Sequence, residues 1–586
     1  MPTDITLQKA EQKRWALAQA DEEKVKYLSG IVGIHEVLAR LLILRGVESF
    51  DDARLFFRPS LEHLHDPFEM KDMRLAVKRL EKALEREEKI LVYGDYDVDG
   101  TTAVALVYSF LKDFYPDRID YYIPDRYVEG YGISVQGIEY AAHNGYSLII
   151  ALDCGIRAHD KVAFASSKGI DFIICDHHLP EATLPKAVAV LDPKRFDCFY
   201  PYKELSGCGI GFKLIQAFAL ENSIPNEVVY QYLDLVAVST ACDIVPITGE
   251  NRVLAHYGLK LLNESPRKGL GYLIERAGVA NRKLSISDLV FYIGPRINAA
   301  GRMDHGRNAV NLLISDTDEQ ADLNASNLHN HNDDRKQVDK DITQEALEMI
   351  QADAQRLQRK STVLFQPHWS KGVIGIVASR LIETYYRPTI VLTESNGYLS
   401  GSARSVSGFN IHDAIQACSD LLIQFGGHKY AAGLTLPKEN YEAFVQKFEE
   451  VVAATILPEC LVPEISIDSE LDICDITPKF YRILKQFAPF GPSNMRPVFI
   501  TKACRLVGSP RLIGTNHMRI TVSQDGKQVC QAIAFGMAHW IEQLLALTEQ
   551  DTFDICYCLE ENEWQGNVSL QMNIKDIRLG QSSSSR

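Results

Sequence analysis

The sequence predicts an α/β protein with a parallel-sheet lobe, a long connecting helix, a second α/β lobe and a C-terminal β-barrel module. Three observations carry that expectation. Between Glu88 and about Lys194, short apolar runs alternate with helical segments; residues 317–359 carry few Gly or Pro and repeat apolar residues near helical spacing; beyond Ile465 the pattern turns to strands. At 586 residues the chain exceeds one hydrophobic core, and at roughly 150 residues per domain it accommodates about four domains.

Composition bounds the function classes. Apolar residues make up 46% and charged residues 24%, close to the globular average, which excludes wholesale disorder and fibrous architectures. Lys and Arg number 62 against 77 Asp and Glu, a net charge of −15, so the molecule is no polycationic coat for nucleic acid or anionic lipid. Any polyanion it binds must be gripped by a local patch. The N-terminus MPTDITLQKAEQKRWALAQADEEK is charged throughout, and nowhere do about 18 uncharged apolar residues run together, so neither a secreted nor a membrane-spanning protein is expected. The 12 cysteines are scattered without a CxxC pair, which argues against a zinc ribbon or a disulfide scaffold and for a reducing cytoplasm.

Residues 1–75 are expected to form a helix-rich cap, with Ile34, Val37, Leu38, Leu41 and Leu42 spaced as one helix face. In residues 76–305 the runs ILVYG, IDYYIP, SLIIALD, DFIICD and AVAVLD alternate with helical stretches, the pattern of a parallel sheet with right-handed crossovers. Such sheets bind ligands at the carboxyl edge. Asp95 to Asp99, Asp125, Asp153, Asp176 to His178 and Asp192 follow the five runs in turn, making a charged rim. Residues 306–360 form the connecting segment, whose helix would span roughly 60 Å, with Ala325, Leu328, Val338, Ile342, Ala346, Ile350 and Leu357 on its apolar face. Residues 361–455 open with the strand STVLFQ, followed by the helix GVIGIVASRLIETY and the strand PTIVLT. In residues 456–586, Met518, Ile520 and Val522 alternate with Arg519, Thr521 and Ser523, and Asp525-Gly526 supplies a hairpin turn, compatible with a small barrel.

The densest chemical signal is VYGDYDVDGTT, with Asp95, Asp97 and Asp99 at alternating positions before a glycine. A calcium-binding EF-hand loop needs Glu at its twelfth position, which here is Leu106. The carboxylates are instead presented from a strand-to-helix turn. Three carboxylates so close repel unless a cation neutralises them, although a solvated acidic turn is the plainer alternative. The string ICDHHLP adds His177 and His178; with Asp153 in ALDCGI and Asp243 in TACDIVP it completes a set of carboxylates plus imidazole at strand ends. That donor set suits Mn²⁺ or Mg²⁺, whereas zinc normally recruits more Cys or His. Cys154, Cys175 and Cys242 adjoin these acids and read as core filler. The glycines of GCGIGF do not match GxGxxG and read as close packing beside the metal site.

The strings GDYDVDGTT, ALDCGI, CDHH and ACDIVP, in this order, resemble the four metal-binding motifs of the DHH phosphoesterase superfamily. YYIPDRYVEGYG, SGCGIGFKL, GPRINAAGRM, GSARSVSGFNIHDAI, FGGHKYAAGLTL and FAPFGPSNMRPVF extend the resemblance to the RecJ branch, from about residue 75 almost to the C-terminus. The resemblance implies a DHH lobe, a DHH-associated lobe and an oligonucleotide-binding (OB) barrel. It implies a 5′ to 3′ exonuclease that uses two Mn²⁺ or Mg²⁺ ions to release 5′-mononucleotides from single-stranded DNA in recombination and repair.

Carried over residue by residue, Asp95, Asp97, Asp99, Asp153, His177 and Asp243 are implied metal ligands, with Asp97 and Asp99 ahead of Asp95 and Asp153 bridging. His178 is the second histidine of the DHH pair, and Arg302, Arg404 and His428 join the implied catalytic group. Arg126, Ser402, Arg404, Gly426, Gly427 and His428 are implied to bind substrate. Arg505, Arg511, His517 and Arg519 are available on the barrel to grip a strand. Single-strand-binding protein and a recombination helicase are implied partners. The rival expectations are a small-substrate DHH phosphoesterase acting on oligoribonucleotides or cyclic dinucleotides, and a catalytically inactive DHH scaffold in replication.

Overall fold

A computed structural model describes residues 13–564 and 567–580, which form two compact units. One comprises Arg58–Gln337 with Pro489–Met495; the other takes the described residues up to Phe57, Val338–Ala488 and those from Arg496 onward.

The first unit is built on a five-stranded parallel sheet: β1 (Lys89–Gly94), β2 (Ile119–Tyr122), β3 (Tyr146–Leu152), β4 (Asp171–Cys175) and β5 (Ala189–Leu191), in the order β2-β1-β3-β4-β5. The central strands are buried on both faces, which is why they read as continuous apolar runs. Strand order reverses between β1 and β3, and the crevice at such a reversal, beyond the strands' carboxyl ends, is where open α/β sheets place ligands. Helix α1 (Val98–Phe114) leaves β1 and is apolar nearly all round, hence buried. It packs against α2 (Gly207–Glu221) and α3 (Leu233–Cys242). Further along lie α4 (Gly294–Met303) and α5 (Asp318–Gln351).

Helix α5 is shorter than the sequence pattern implies. Its 34 residues span about 51 Å, and residues Ala354–Gln358 form a separate short helix in which Leu357 is exposed.

The second unit contains a mixed sheet of β6 (Thr362–Phe365), β7 (Thr389–Ser395), β8 (Tyr398–Arg404), β9 (Gln424–His428) and β10 (Ala431–Leu436), in the order β9-β10-β8-β7-β6. Only β6 and β7 run parallel, joined by α6 (Ile374–Thr384). A barrel follows, made of β11 (Phe499–Leu506), β12 (Arg511–Ile513), β13 (His517–Ser523), β14 (Val529–Ala534), β15 (Phe553–Trp564) and β16 (Asn567–Leu579). It closes because β11 pairs with β15 on one edge and with β13 on the other, Arg505 opposite Ser523. Met518, Ile520 and Val522 face its interior as the alternation requires, and Asp525 caps the hairpin by accepting the Lys527 and Gln528 N–H groups.

The N-terminal region holds a strand that helical periodicity does not announce. Arg14–Leu17 pairs in parallel with Glu464–Ile467, and Trp15 donates its indole N–H to Asp576 at 2.8 Å beneath the Arg578 guanidinium. Ile34 lies just ahead of the helix Glu36–Ile43, whose Leu38, Leu41 and Leu42 are buried. Among the described residues no helix is long and apolar enough to cross a membrane.

Candidate active site

The acidic groups expected at strand ends are found there, with one exception. Asp95 follows β1, Asp153 follows β3, Asp176–His178 follow β4 and Asp192 follows β5. Asp243, expected at a strand end, instead caps the C-terminus of helix α3, and the next residue, Ile244, has φ 60°. A β-branched residue in the left-handed region is a genuine outlier; Asp153 is also left-handed, at φ 58°, a conformation Asp tolerates better. Both distortions lie at carboxylates of the cluster.

The three aspartates of the first motif do different things. Asp97 caps α1, its side chain accepting the Gly100 N–H at 3.0 Å. Asp99, in the first turn of α1, accepts the N–H groups of Gly207 at 2.6 Å and Cys208 at 2.8 Å and the Ser239 hydroxyl at 2.6 Å. Asp95 is fully buried, and the backbone N–H groups of Tyr96 and Gly132 are its nearest donors. Burial, then the charge of Asp97, pushes the Asp95 carboxyl well above the ordinary carboxylate range.

His177 stands at the centre. Its Nε2 lies 3.2 Å from Asp153 Oδ1, 3.4 Å from Asp243 Oδ2 and 3.6 Å from Asp99 Oδ2. Two candidate ligand groups overlap at His177, Asp99-His177-Asp243 and Asp153-His177-His178, and the one lone pair of its Nε2 serves one ion. Adjacent ligands of an octahedral ion held at about 2.1 Å sit roughly 3 Å apart, so these separations need little adjustment around a cation. Among the described residues, Asp153 Oδ1, Asp243 Oδ2 and both His177 nitrogens are buried with no hydrogen-bond partner, an orphaned donor set that a cation would satisfy. Burial, then the charges of Asp99 and Asp97, raises the carboxyls of Asp153 and Asp243, that of Asp243 to about 9. Burial lowers His177 and keeps its imidazole neutral, the form that binds a metal. An oxygen-rich set with imidazole and no thiolate fits Mn²⁺ or Mg²⁺. Cys154 and Cys175 are buried in the core, whereas Cys242 is partly exposed and contacts the Leu289 carbonyl.

Asp176 supports the histidines. Its Oδ1 accepts the backbone N–H groups of His177 and His178 and lies 2.8 Å from His178 Nδ1, while Oδ2 accepts the Ile156 N–H. Burial alone would raise Asp176, but the His178 hydrogen bond and charge outweigh it and hold the carboxyl at about 2. Burial likewise opposes protonation of His178, and the Asp176 hydrogen bond outweighs it, pushing the imidazole up to about 9. His178 Nε2 faces the Tyr131 hydroxyl at 3.4 Å. The guanidinium of Arg126 lies 4.9 Å over the Tyr96 ring. Arg302, near the end of α4, accepts the Tyr127 hydroxyl on its carbonyl, and its charge and that of Arg126 both act on Tyr96.

In the second unit, Arg404 ends β8 with Ser402 two residues before it on the same face. The Arg404 guanidinium bonds Ser402 Oγ at 3.0 Å and the Ala403 carbonyl at 2.8 Å, with no carboxylate among these partners. Burial lowers its pKa. The side chain lies against the start of α6 because residue 375 is glycine: a Cβ there would come within 2.9 Å of the guanidinium and 2.8 Å of Ser402 Oγ. A half-buried cation without a counter-charge is a ready anion site. Gly426 and Gly427 lie on β9, open space surrounds the Gly426 Cβ position, and His428 at the strand's end is exposed.

Sequence reading missed Ser206, Ser239 and Gly375. Buried serines carry no pattern that separates them from helix filler, and Gly375 in GVIGIV looks like any small helix residue. The expectation that GCGIGF packs beside the metal site is met, since Gly207 abuts Asp153.

Comparisons with known proteins agree with this geometry. Residues 89–240 match the DHH family, N-terminal domain, residues 358–454 the DHHA1 domain, and residues 467–576 the RecJ OB domain. The single-stranded-DNA-specific exonuclease RecJ of Bacillus subtilis (strain 168) is 35% identical over 576 residues, spanning 98% of this chain and 72% of that protein. Its namesake in Escherichia coli (strain K12) is 34% identical over 565 residues, 92% of this chain and 95% of that one. The crystal structure of RecJ in complex with Mn²⁺ from Thermus thermophilus is similar with a TM-score of 0.82 at 27% identity, covering 96% of this chain and 79% of that chain. The Mg²⁺ complex of the same protein gives 0.76 at 26%, covering 96% and 78%. Three domains matched in order, and relatives above 30% identity over nearly the whole chain, place this protein in the RecJ family of DHH phosphoesterases.

Proposed function

We propose that this chain is a metal-dependent, single-stranded-DNA-specific exonuclease that degrades strands from the 5′ end to 5′-mononucleotides in recombination and repair. The observation that carries this reading is the convergence of Asp99, Asp153 and Asp243 on His177 Nε2, where Asp153 Oδ1, Asp243 Oδ2 and the imidazole nitrogens are buried without a hydrogen-bond partner among the described residues. Asp97, Asp99, Asp153, His177 and Asp243 would hold two Mn²⁺ or Mg²⁺ ions, Asp153 as the shared carboxylate, with Asp95 a further ligand candidate ranked after them. Bound there, such ions supply Lewis-acid charge to phosphate oxygens and a hydroxide-like water for in-line displacement.

The chain's own residues do the rest. With Nδ1 held by Asp176, His178 turns Nε2 outward and, protonated at neutral pH, donates it to a phosphate oxygen. Arg126 and Arg302 add positive charge on the same unit. Arg404 and Ser402 take a phosphate, which supplies a counter-charge to the guanidinium, and bare backbone at Gly426 and Gly427 with His428 lets a phosphate approach N–H groups. The division of labour follows the sequence segments: 76–305 catalytic, 306–360 connecting, 361–455 substrate-binding, 456–586 strand-gripping. By family resemblance the setting is cytoplasmic, with single-strand-binding protein and a recombination helicase as partners.

The test is a single strand labelled at either end and incubated with Mn²⁺. Prompt release of labelled mononucleotide from the 5′-labelled strand, with the 3′ label persisting until late, supports the proposal. Release first from the 3′ end, or turnover of dinucleotides alone, contradicts it.

A further inference from the structure

Asp99 is held by more than its place on α1. Gly209 N–H lies 3.1 Å from Ser206 Oγ, Ser206 Oγ lies 2.6 Å from Ser239 Oγ, and Ser239 Oγ lies 2.6 Å from Asp99 Oδ1. Ser206 Oγ accepts the Gly209 N–H, and the Ser239 hydroxyl is placed to donate both to Asp99 Oδ1 and to Ser206 Oγ, so Ser206 fixes where Ser239 stands against the carboxylate. The first two N–H groups of α2, those of Gly207 and Cys208, donate to Asp99 as well, so the carboxylate sits on the N-terminus of a 15-residue helix. Oδ1 then takes two donors and Oδ2 one. The remaining lone pair belongs to Oδ2, the oxygen 3.6 Å from His177 Nε2. Ser206 and Ser239 are fully buried, so water cannot replace either hydroxyl.

From this we infer that Ser239 and Ser206 are positioning residues of the metal site, a two-serine brace that fixes the Asp99 carboxylate to offer one oxygen edge to the cation. The inference rests on Asp99 being a metal ligand. A carboxylate free to rotate would approach the ion through either oxygen, and the site would lose the pre-set geometry that a hard cation with octahedral demands requires. Partners of this kind behind a ligand typically hold tenfold to a hundredfold of metal affinity.

The experiment is direct Mn²⁺ binding to the full chain, read by the electron paramagnetic resonance signal of free Mn²⁺. Five proteins are compared: wild type, Asp99→Asn, Ser239→Ala, Ser206→Ala and Val238→Ala. Val238 is the fully buried neighbour of Ser239 on α3, so its truncation loosens the same turn without removing a donor. The expected result is Mn²⁺ affinity weakened about tenfold to a hundredfold in Ser239→Ala and in the same direction in Ser206→Ala, with Val238→Ala close to wild type. Circular dichroism reports which variants fold; should Ser239→Ala not fold, Ser206→Ala decides. Wild-type affinity in a folded serine variant overturns the brace, as does equal weakening in Val238→Ala. Undiminished affinity in Asp99→Asn instead removes Asp99 from the metal site, which is a failure of the functional reading and not of the brace alone.

Discussion

Gly207 and Asp153 are in contact at a distance that admits no side chain: a Cβ on Gly207 would lie 2.6 Å from Asp153 Cβ and 2.9 Å from its Cα. The start of α2 is thereby pressed against the carboxylate proposed to bridge the metals, while its N–H bonds Asp99. Gly207→Ala should push these elements apart. We expect a loss of about 1–3 kcal/mol in stability, the usual cost of an overpacked site, together with weakened Mn²⁺ binding. Thermal unfolding with and without Mn²⁺ checks it; a variant as stable and as metal-responsive as wild type would show that the contact relaxes freely.

Arg404→Ala and His428→Ala should reduce turnover without reducing bound metal, because both are assigned to phosphate and not to the cation. Loss of a preorganised charged donor usually costs on the order of a hundredfold in rate. Metal analysis of the purified variants is the discriminating readout. Mn²⁺ lost along with activity would move that residue into contact with the ion.

The folded carboxyl of Asp243 is raised to about 9 by burial and by the charges of Asp99 and Asp97, and His178 is raised to about 9 by its bond to Asp176 against burial. Both pKa values lie above those of the unfolded chain. Each group therefore contributes stability that is full below its unfolded pKa and is lost as pH rises toward 9. The metal-free protein should unfold at a lower temperature at pH 8.5 than at pH 6.5, and Mn²⁺ should raise that temperature more at pH 8.5, where fewer protons must leave. A stabilisation by Mn²⁺ that shrinks with rising pH would contradict the assignment.

On the barrel, Arg511 stands directly opposite Arg519 on the neighbouring strand, and both are exposed, as is Arg505. Like charges facing across a ladder destabilise it unless a polyanion lies over them. Removing the module by truncation would leave Arg14–Leu17 without its partner strand, so substitution is the cleaner probe. Arg505, Arg511 and Arg519 changed together to Ala should flatten the log-log salt dependence of single-strand binding by about 2 units, at roughly 0.7 per phosphate contact. An unchanged slope would send this face to another partner.

The sequence made the strand-end acids legible because each follows a run of apolar, β-rich residues that can only be a buried parallel strand. Asp243 escaped that logic. Its helix, LDLVAVSTAC, is apolar on every side, so no period distinguishes it from a strand, and only the fold places the acid at a helix end. The pairing of Arg14–Leu17 with residues more than 400 positions away was invisible for another reason: four residues carry too little pattern, and the partner supplies the structure. The Ser206-Ser239 brace was hidden because hydrogen bonding between distant helices leaves no spacing in the chain.

The proposed two-ion centre is bridged by Asp153, with His177 ligating one of the ions. Crystals of Asp153→Asn and wild type grown in Mn²⁺, with data collected at the manganese absorption edge, test it most directly. Two anomalous peaks about 3.5–4 Å apart are expected in the wild type, flanked by Asp99, Asp153, His177 and Asp243, with the loss of at least one in the variant. The variant should also lose more than about a thousandfold in turnover while keeping its fold. A single peak in the wild type, or two undiminished peaks in Asp153→Asn, would rule out an Asp153-bridged pair.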